Sequence, residues 1–280
     1  MTISNQSVLH ASLERAVRGL SGALALPGVP TLDWCQLAAR SLSAAFPGSI
    51  VVVRLLDQTP AADAWVTVNE GAFDSFRTET IDPGELSFEG ESVAGWWLTS
   101  EAASSDAPAG EPCVSPVERV PGFERWGGSG LFRGWAEKGV PEVILGSLVT
   151  AADADRGARR LLVVELGQNG VVPEDTDILS ALLPELAKRG AFAFGAGPFA
   201  GPDPITDREH EVLALLVRGL NVREIAEALS RSPHTVHDHV KSLHRKLHAS
   251  CRGELVARAL GRCDEPARNG KCETPLGFAK

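Results

Sequence analysis

No stretch of this chain approaches the roughly 18 consecutive apolar residues that a membrane span requires, although 44% of its 280 residues are hydrophobic. A membrane anchor is therefore not expected. The opening MTISNQSVLHASLERAVRGL has neither the basic start nor the apolar run of a secretory signal, so the expected location is the cytoplasm. Its Val8, Leu13, Val17 and Leu20 recur at helical spacing and predict an amphipathic helix. Cysteine is sparse, with Cys35, Cys113, Cys251, Cys263 and Cys272 widely separated and no CxxC pair, which argues against a zinc knuckle or a disulfide framework. GxSxG, HExxH, GxxxxGK and GxGxxG are missing, and Asp57, Asp153 and Asp155 form no recognisable acid–base set. An enzyme is not expected, nor is a cofactor or a bound metal.

The net charge of −9 argues against a nucleic-acid partner only if it is spread evenly. Residues 1–203 hold 14 Lys+Arg against 26 Asp+Glu, whereas 204–264 hold 10 against 8 and six of the seven histidines. The acidity thus belongs to the front of the molecule, and partial protonation of the histidines adds to the positive charge behind it.

Glycine and proline in GAGPFAGPDP, 195–204, interrupt a long helical pattern and mark the domain boundary. The organisation expected is a front domain over 1–195, a linker over 196–204, a helical domain over 205–262 and a disordered tail over 263–280. Residues 100–116, rich in Ala, Ser and Pro, read as a long loop. In the front domain a helix over Leu32–Phe46 precedes the strand-like SIVVVRLL; AWVTV (64–68) is a further strand, and EVILGSLVT (142–150) with RRLLVVELG (159–167) predicts a hairpin. Ile178, Leu179, Leu182, Leu183 and Leu186 then mark one face of a helix kinked at Pro184. The fold class is α+β, an antiparallel sheet with flanking helices. Trp96, Trp97, Trp126 and Trp135 are core candidates, with a ligand pocket as the second reading.

Two long strands followed by an acid-capped helix bearing Leu-Leu-Pro-Glu-Leu resemble the end of a GAF-type sensory domain. The resemblance implies a GAF-like front domain that binds a small-molecule effector or a protein partner, or serves in dimerisation; no ligand-binding residue can be assigned.

From Ile205 the chain carries helix signals with caps. Thr206 with Glu209 makes a capping box, Gly219 suits a left-handed C-cap, and Asn221 suits the N-cap of a second helix whose inward face is Val222, Ile225, Ala226 and Leu229. Ser232 caps a third helix with Pro233 at its first position. There Val236, Val240, Leu243 and Leu247 fall on one stripe, leaving His234, Asp238, Lys241, Ser242 and Arg245 on the opposite side with His237 at its margin. His239 sits beside the core stripe and reads as packing; His237, His244 and His248 share a stripe but read as solvated rather than metal-bound. Ser250 is expected to cap a fourth helix.

This segment resembles the LuxR-type helix-turn-helix over about sixty residues, through Thr206-Asp207-Arg208-Glu209, Glu211-Val212-Leu213, Gly219-Leu220-Asn221, Glu224-Ile225-Ala226, Ser232, Thr235-Val236, His239-Val240, Lys246-Leu247 and Glu254-Leu255. The resemblance implies a bacterial transcriptional regulator that binds double-stranded DNA as a homodimer. It places Asn221, Arg223, Ser232, Thr235, His237, Asp238, Lys241, Ser242 and Arg245 at DNA, and Leu255, Val256 and Ala259 at a dimer face. His237 stands where the family commonly has Lys, and Asp238 sets a carboxylate before an anionic partner, so binding is expected to tighten as His237 protonates. A phosphate-accepting receiver is disfavoured because the chain opens with helices. An acyl-homoserine-lactone pocket is disfavoured because the chain has no tyrosine.

Overall fold

The apolar run SIVVVRLL becomes the middle of a sheet whose two faces are both covered. The computed structural model describes residues 2–28, 30–58, 65–89, 91–99, 110–120, 123, 125–153, 158–194 and 205–259. The expected linker 196–204, the tail 263–280 with Cys263 and Cys272, and residues 100–109 of the expected loop lie outside them. Two units result, Met1–Leu26 with Asp33–Ala200, and Pro27–Leu32 with Gly201–Lys280.

The first unit runs α1 (Thr2–Leu24), α2 (Trp34–Ser43), β1 (Ser49–Gln58), β2 (Trp65–Asp74), β3 (Glu79–Ile81), α3 (Val93–Thr99), β4 (Pro112–Pro116), α4 (Gly130–Glu137), β5 (Glu142–Asp153), β6 (Ala158–Gln168) and α5 (Pro173–Phe194). The sheet order is β3-β2-β1-β6-β5-β4, with every neighbouring pair antiparallel. The α+β class and the β5–β6 hairpin are as the sequence predicts. Successive side chains of β1 point to opposite faces. Val51, Val53 and Leu55 meet α2 and α5 through Ala38, Leu42, Leu183 and Leu186. Ile50, Val52 and Leu56 join a second core with Trp97, Trp126 and Trp135. Burial on both faces explains why β1 and β6 read as continuous apolar runs instead of alternating ones.

Residues 112–116 correct the loop reading of that region. They pair with β5 as an edge strand, and Pro112 and Pro116 stand at its ends, where a missing N–H costs the ladder least. Helix α5 continues through Pro184.

Charge also enters the sheet. Arg54 pairs with the buried Glu165 and, at 3.0 Å, with Glu70, while the Ala94 N–H donates to Glu165 at 2.9 Å. Burial pushes the Glu165 carboxyl above its ordinary range, against the opposing pull of Arg54 and Ala94. Arg160 donates to both oxygens of Asp57, at 2.6 and 2.8 Å.

The inward side of α1 is its small-residue side. Gly19 lies against Leu182 and Ala45, Gly22 lies against Ser41, and Ala23 is buried. Arg15 anchors the helix to Asp175 and to the Ala45 carbonyl, the latter at 2.7 Å. Leu13, Val17 and Leu20, the stripe that marks the helix in the sequence, stand outward.

The second unit holds α6 (Asp207–Val217), α7 (Val222–Ala228), α8 (Pro233–Lys246) and α9 (Arg252–Ala259) around Val212, Leu216, Ile225, Val236, Leu243 and Leu255. A piece of chain from far upstream belongs to it. The Ile205 N–H donates to the Pro30 carbonyl at 2.5 Å, and Thr31 pairs with Ile205 in a parallel bridge. Among the described residues no helix is long and apolar enough to cross a membrane.

Candidate nucleic-acid interface

The geometry of α6 to α8 follows from local capping. Thr206 accepts from the Glu209 N–H while the Glu209 carboxylate accepts the Thr206 N–H, at 2.8 Å, closing the predicted box. Asn221 closes a second box with Glu224, unread in the sequence although the Asn-x-x-Glu spacing carries it. The turn between α7 and α8 bends at Ser230, which takes φ of 51°, and the Arg231 N–H returns to the Ala226 carbonyl at 2.8 Å. Ser232 then starts α8 by accepting from the Thr235 N–H at 3.0 Å, with Pro233 next. The fourth helix begins differently from expectation. It starts at Arg252, and Ser250 donates its N–H and hydroxyl to Glu254, at 2.7 and 2.8 Å.

Helix α8 is two-sided. Val236, Leu243 and Leu247 are buried and Val240 packs partly against them. His234, Thr235, His237, Asp238, Lys241 and Arg245 are exposed, as is Arg223 on α7. His234 Nε2 lies 3.8 Å from an Asp238 oxygen, so the carboxylate has a cationic neighbour when that imidazole is protonated.

Other predicted residues are engaged inside the module. The Asn221 side-chain oxygen accepts from the Arg223 and Glu224 N–H groups, at 2.9 and 3.1 Å. The Ser232 hydroxyl also meets that of Thr235, at 2.8 Å. Ser242 is half-buried and hydrogen-bonds Glu209. Leu255 is wholly enclosed in the module's own core, leaving Val256 and Ala259 half-buried on α9. His244 Nδ1 contacts the Ala249 carbonyl at 2.8 Å, and no group of three metal-ligating side chains occurs among the described residues.

Several basic residues hold helices together instead of projecting outward. Lys246 donates to Glu209 at 2.8 Å, Arg252 donates to the Leu216 carbonyl in the last turn of α6 and to the Leu220 carbonyl in the connection to α7, and Arg258 bridges Glu254 and the Leu247 carbonyl. A pocket of about 260 Å³ beside the start of α8 is lined by Arg208, Glu211, Arg231, Thr235 and His239 among others. Sequence reading missed Arg208 and Arg231 as site candidates: only folding brings Arg208 beside Thr235, whereas Arg231 stands in the turn just ahead of α8.

Glu209 is the electrostatic hinge of the module. Burial raises the cost of its charge, but bonds from Lys246, Ser242 and Thr206 outweigh that cost and hold its carboxyl down to about 2. Its folded pKa is below its unfolded value, so the stabilisation is complete above about pH 4.5 and drains away as pH falls toward 2. Glu209→Gln is expected to cost the helical module about 2 kcal/mol at pH 7 and to flatten its acid transition in that window. An unchanged helical far-UV signal through the same titration for both proteins would contradict the assignment.

The first unit offers less. Trp97, Trp126 and Trp135 are core, whereas Trp96 with Arg125, Gly127, Gly128 and Ser129 lines an open depression of about 630 Å³.

Comparison with known proteins bears on the second unit. Residues 203–259 match the family model described as bacterial regulatory proteins, luxR family. MctR of Rhizobium johnstonii, a transcriptional regulatory protein, is 33% identical over 106 residues, covering 34% of this chain and 49% of that protein. UhpA of Escherichia coli, also a transcriptional regulatory protein, is 46% identical over 56 residues, 20% of this chain and 29% of its own length. The chain thus spans no more than about half the length of these curated relatives. A solved structure of SdiA in complex with octanoyl-rac-glycerol is 15% identical with a TM-score of 0.32, covering 75% of this chain and 81% of that one; at that score the likeness carries nothing over. From its capped helices, its two-sided third helix and this match, the module over residues 203–259 is a helix-turn-helix domain of the luxR family of bacterial regulatory proteins.

Proposed function

We propose that the chain is a sequence-specific, cytoplasmic DNA-binding transcriptional regulator that acts as a homodimer on a two-fold site, and that a small molecule or protein at the front unit modulates it. One observation carries this reading: α8 buries its apolar stripe in the module and leaves Thr235, His237, Asp238, Lys241 and Arg245 open to solvent. Such a helix fits the major groove, where these side chains can donate to or accept from base edges. Arg231 and Thr235, lining the pocket at the start of α8, suit a backbone phosphate, since a helix N-terminus favours an anion, while Arg208 in the same pocket is paired with Glu211 at 2.9 Å. Asn221 and Ser232 contribute by fixing α7 and α8, and Val256 is offered for pairing along α9 while Ala259 packs partly on the module's own core. At residues 1–195 the depression beside Trp96 is the place to look for an effector.

Footprinting the purified protein on bacterial genomic DNA is expected to return a short site with two-fold symmetry. On that site, replacing both Lys241 and Arg245 with alanine should weaken binding about 100-fold and reduce the salt slope by roughly 2. Duplex affinity unchanged by that double replacement would sink the reading. His237→Ala should also weaken binding to that site in the same assay.

A further inference from the structure

The outward side of α1 is apolar. Leu9, Leu13, Val17, Leu20 and Leu24 are 71, 60, 53, 40 and 51% exposed, and these five are the large exposed hydrophobics that share one helix; the others, such as Val66, Phe76 and Val172, are dispersed. Their spacing of four, four, three and four keeps them on one face for about 22 Å. The packed side of the same helix is made of Gly19, Gly22 and Ala23, so this stripe is not needed to attach α1 to its own unit. A contiguous exposed stripe rimmed by polar residues marks a contact surface, whereas dispersed apolar side chains need no such explanation.

We infer that this stripe pairs with the same stripe of a second copy, the two α1 helices running antiparallel about a two-fold axis beside Val17. The order of residues supports that occupant. Laid antiparallel on itself, the stripe sets Leu9 against Leu24, Leu13 against Leu20, and Val17 against Val17 of the second copy. His10 and Glu14 border the stripe, with His10 Nε2 3.1 Å from Glu14, while Arg18 stands about 140° from the stripe's centre at 100° per residue. Antiparallel packing also sets the two helix dipoles head to tail, whereas a parallel pair sets like ends together. Each stripe residue has on the order of 100 Å² to lose, so the helices together bury on the order of 1,000 Å², the lower end for a specific interface. The dimer is therefore dissociable, and its formation depends on concentration.

The inference deepens the homodimer of the preceding section, but its surface is tested without DNA. Sedimentation equilibrium of the full chain between about 1 and 100 µM should show a monomer–dimer equilibrium. Leu13→Glu with Val17→Glu should weaken it about 100-fold or more while the circular dichroism stays that of the native chain, because both positions are exposed. Mixed Leu9→Cys and Leu24→Cys chains should cross-link on oxidation beyond the wild-type background, since the antiparallel order brings those two positions together, whereas Leu9→Cys chains alone should not. A wild type monomeric throughout the range, or a Leu13→Glu/Val17→Glu variant still dimeric, overturns the pairing surface; cross-linking of Leu9→Cys to itself instead of to Leu24→Cys overturns the antiparallel order. Binding of the wild type to its operator in any of these cases leaves the DNA reading standing.

Discussion

Arg54→Met is expected to lower the stability of the front unit by about 3–5 kcal/mol at pH 7, because it leaves the buried Glu165 without its cation. All six tryptophans, Trp34, Trp65, Trp96, Trp97, Trp126 and Trp135, lie in that unit, so their fluorescence during denaturation reports its unfolding alone. The pH dependence has a definite sign. Burial already raises the Glu165 pKa in the native protein, and loss of Arg54 raises it further, so the variant regains stability as pH falls and the carboxyl takes up a proton. Replacing both partners, Arg54→Met with Glu165→Leu, should cost only about 1–2 kcal/mol, chiefly from stranding the Ala94 N–H that now donates to Glu165. If the single and double variants proved equally stable, the pair would have no energetic coupling and the account would be wrong.

Gly71→Ala is the second large effect, at about 3 kcal/mol. A Cβ at Gly71 would overlap the backbone N and Cα of Gln36 and lie 2.8 Å from the Cys35 carbonyl carbon, because the first turn of α2 rests on the β2 backbone there. The helix cannot retreat cheaply. The Cys35 N–H donates to the Asn69 side chain at 2.8 Å, and the Gln36 amide exchanges bonds with the Ala72 backbone at 2.7 and 3.3 Å. That amide serves as the strand partner that β2 lacks where β3 ends. Gly134→Ala, where nothing stands within 4 Å, is the control and should cause no loss; a Gly71→Ala cost no greater than the control's would remove the close approach from the argument.

Legibility in the sequence followed the range of the interaction. Caps act over three residues, so Thr206, Asn221 and Ser232 announced the starts of α6, α7 and α8, and the stripe Val236, Leu243, Leu247 announced which side of α8 is buried. Strands buried on both faces announced themselves as apolar runs. Edge strand β4 did not, because Pro112 and Pro116 imitate a loop and its place depends on β5. The expected role of Ser250 failed although the interaction is local: the Glu254 carboxylate, on the next turn, accepts from the Ser250 N–H and hydroxyl, so Ser250 donates where a cap accepts.

Charge was the least legible property of the module. Composition counts Lys246, Arg252 and Arg258 as cations on offer to DNA, yet folding commits them to Glu209 and to carbonyls at helix ends, tens of residues away in most cases. Leu255 is a matching case on the apolar side, placed at a dimer face by the resemblance and buried by the fold in the module's own core.

Local sequence alone sufficed to specify the four-helix module, the polar side of α8 and the α+β character of the front unit, since caps, apolar periods and strand runs act between near neighbours. Only tertiary packing decided that Pro27–Leu32 joins the second unit, that Arg54 and Glu165 meet inside the sheet, and that α1 turns its glycines inward and its leucines out. Each of those outcomes depends on which distant surface packs against the segment in the lowest-energy fold, and no short stretch of chain contains that information.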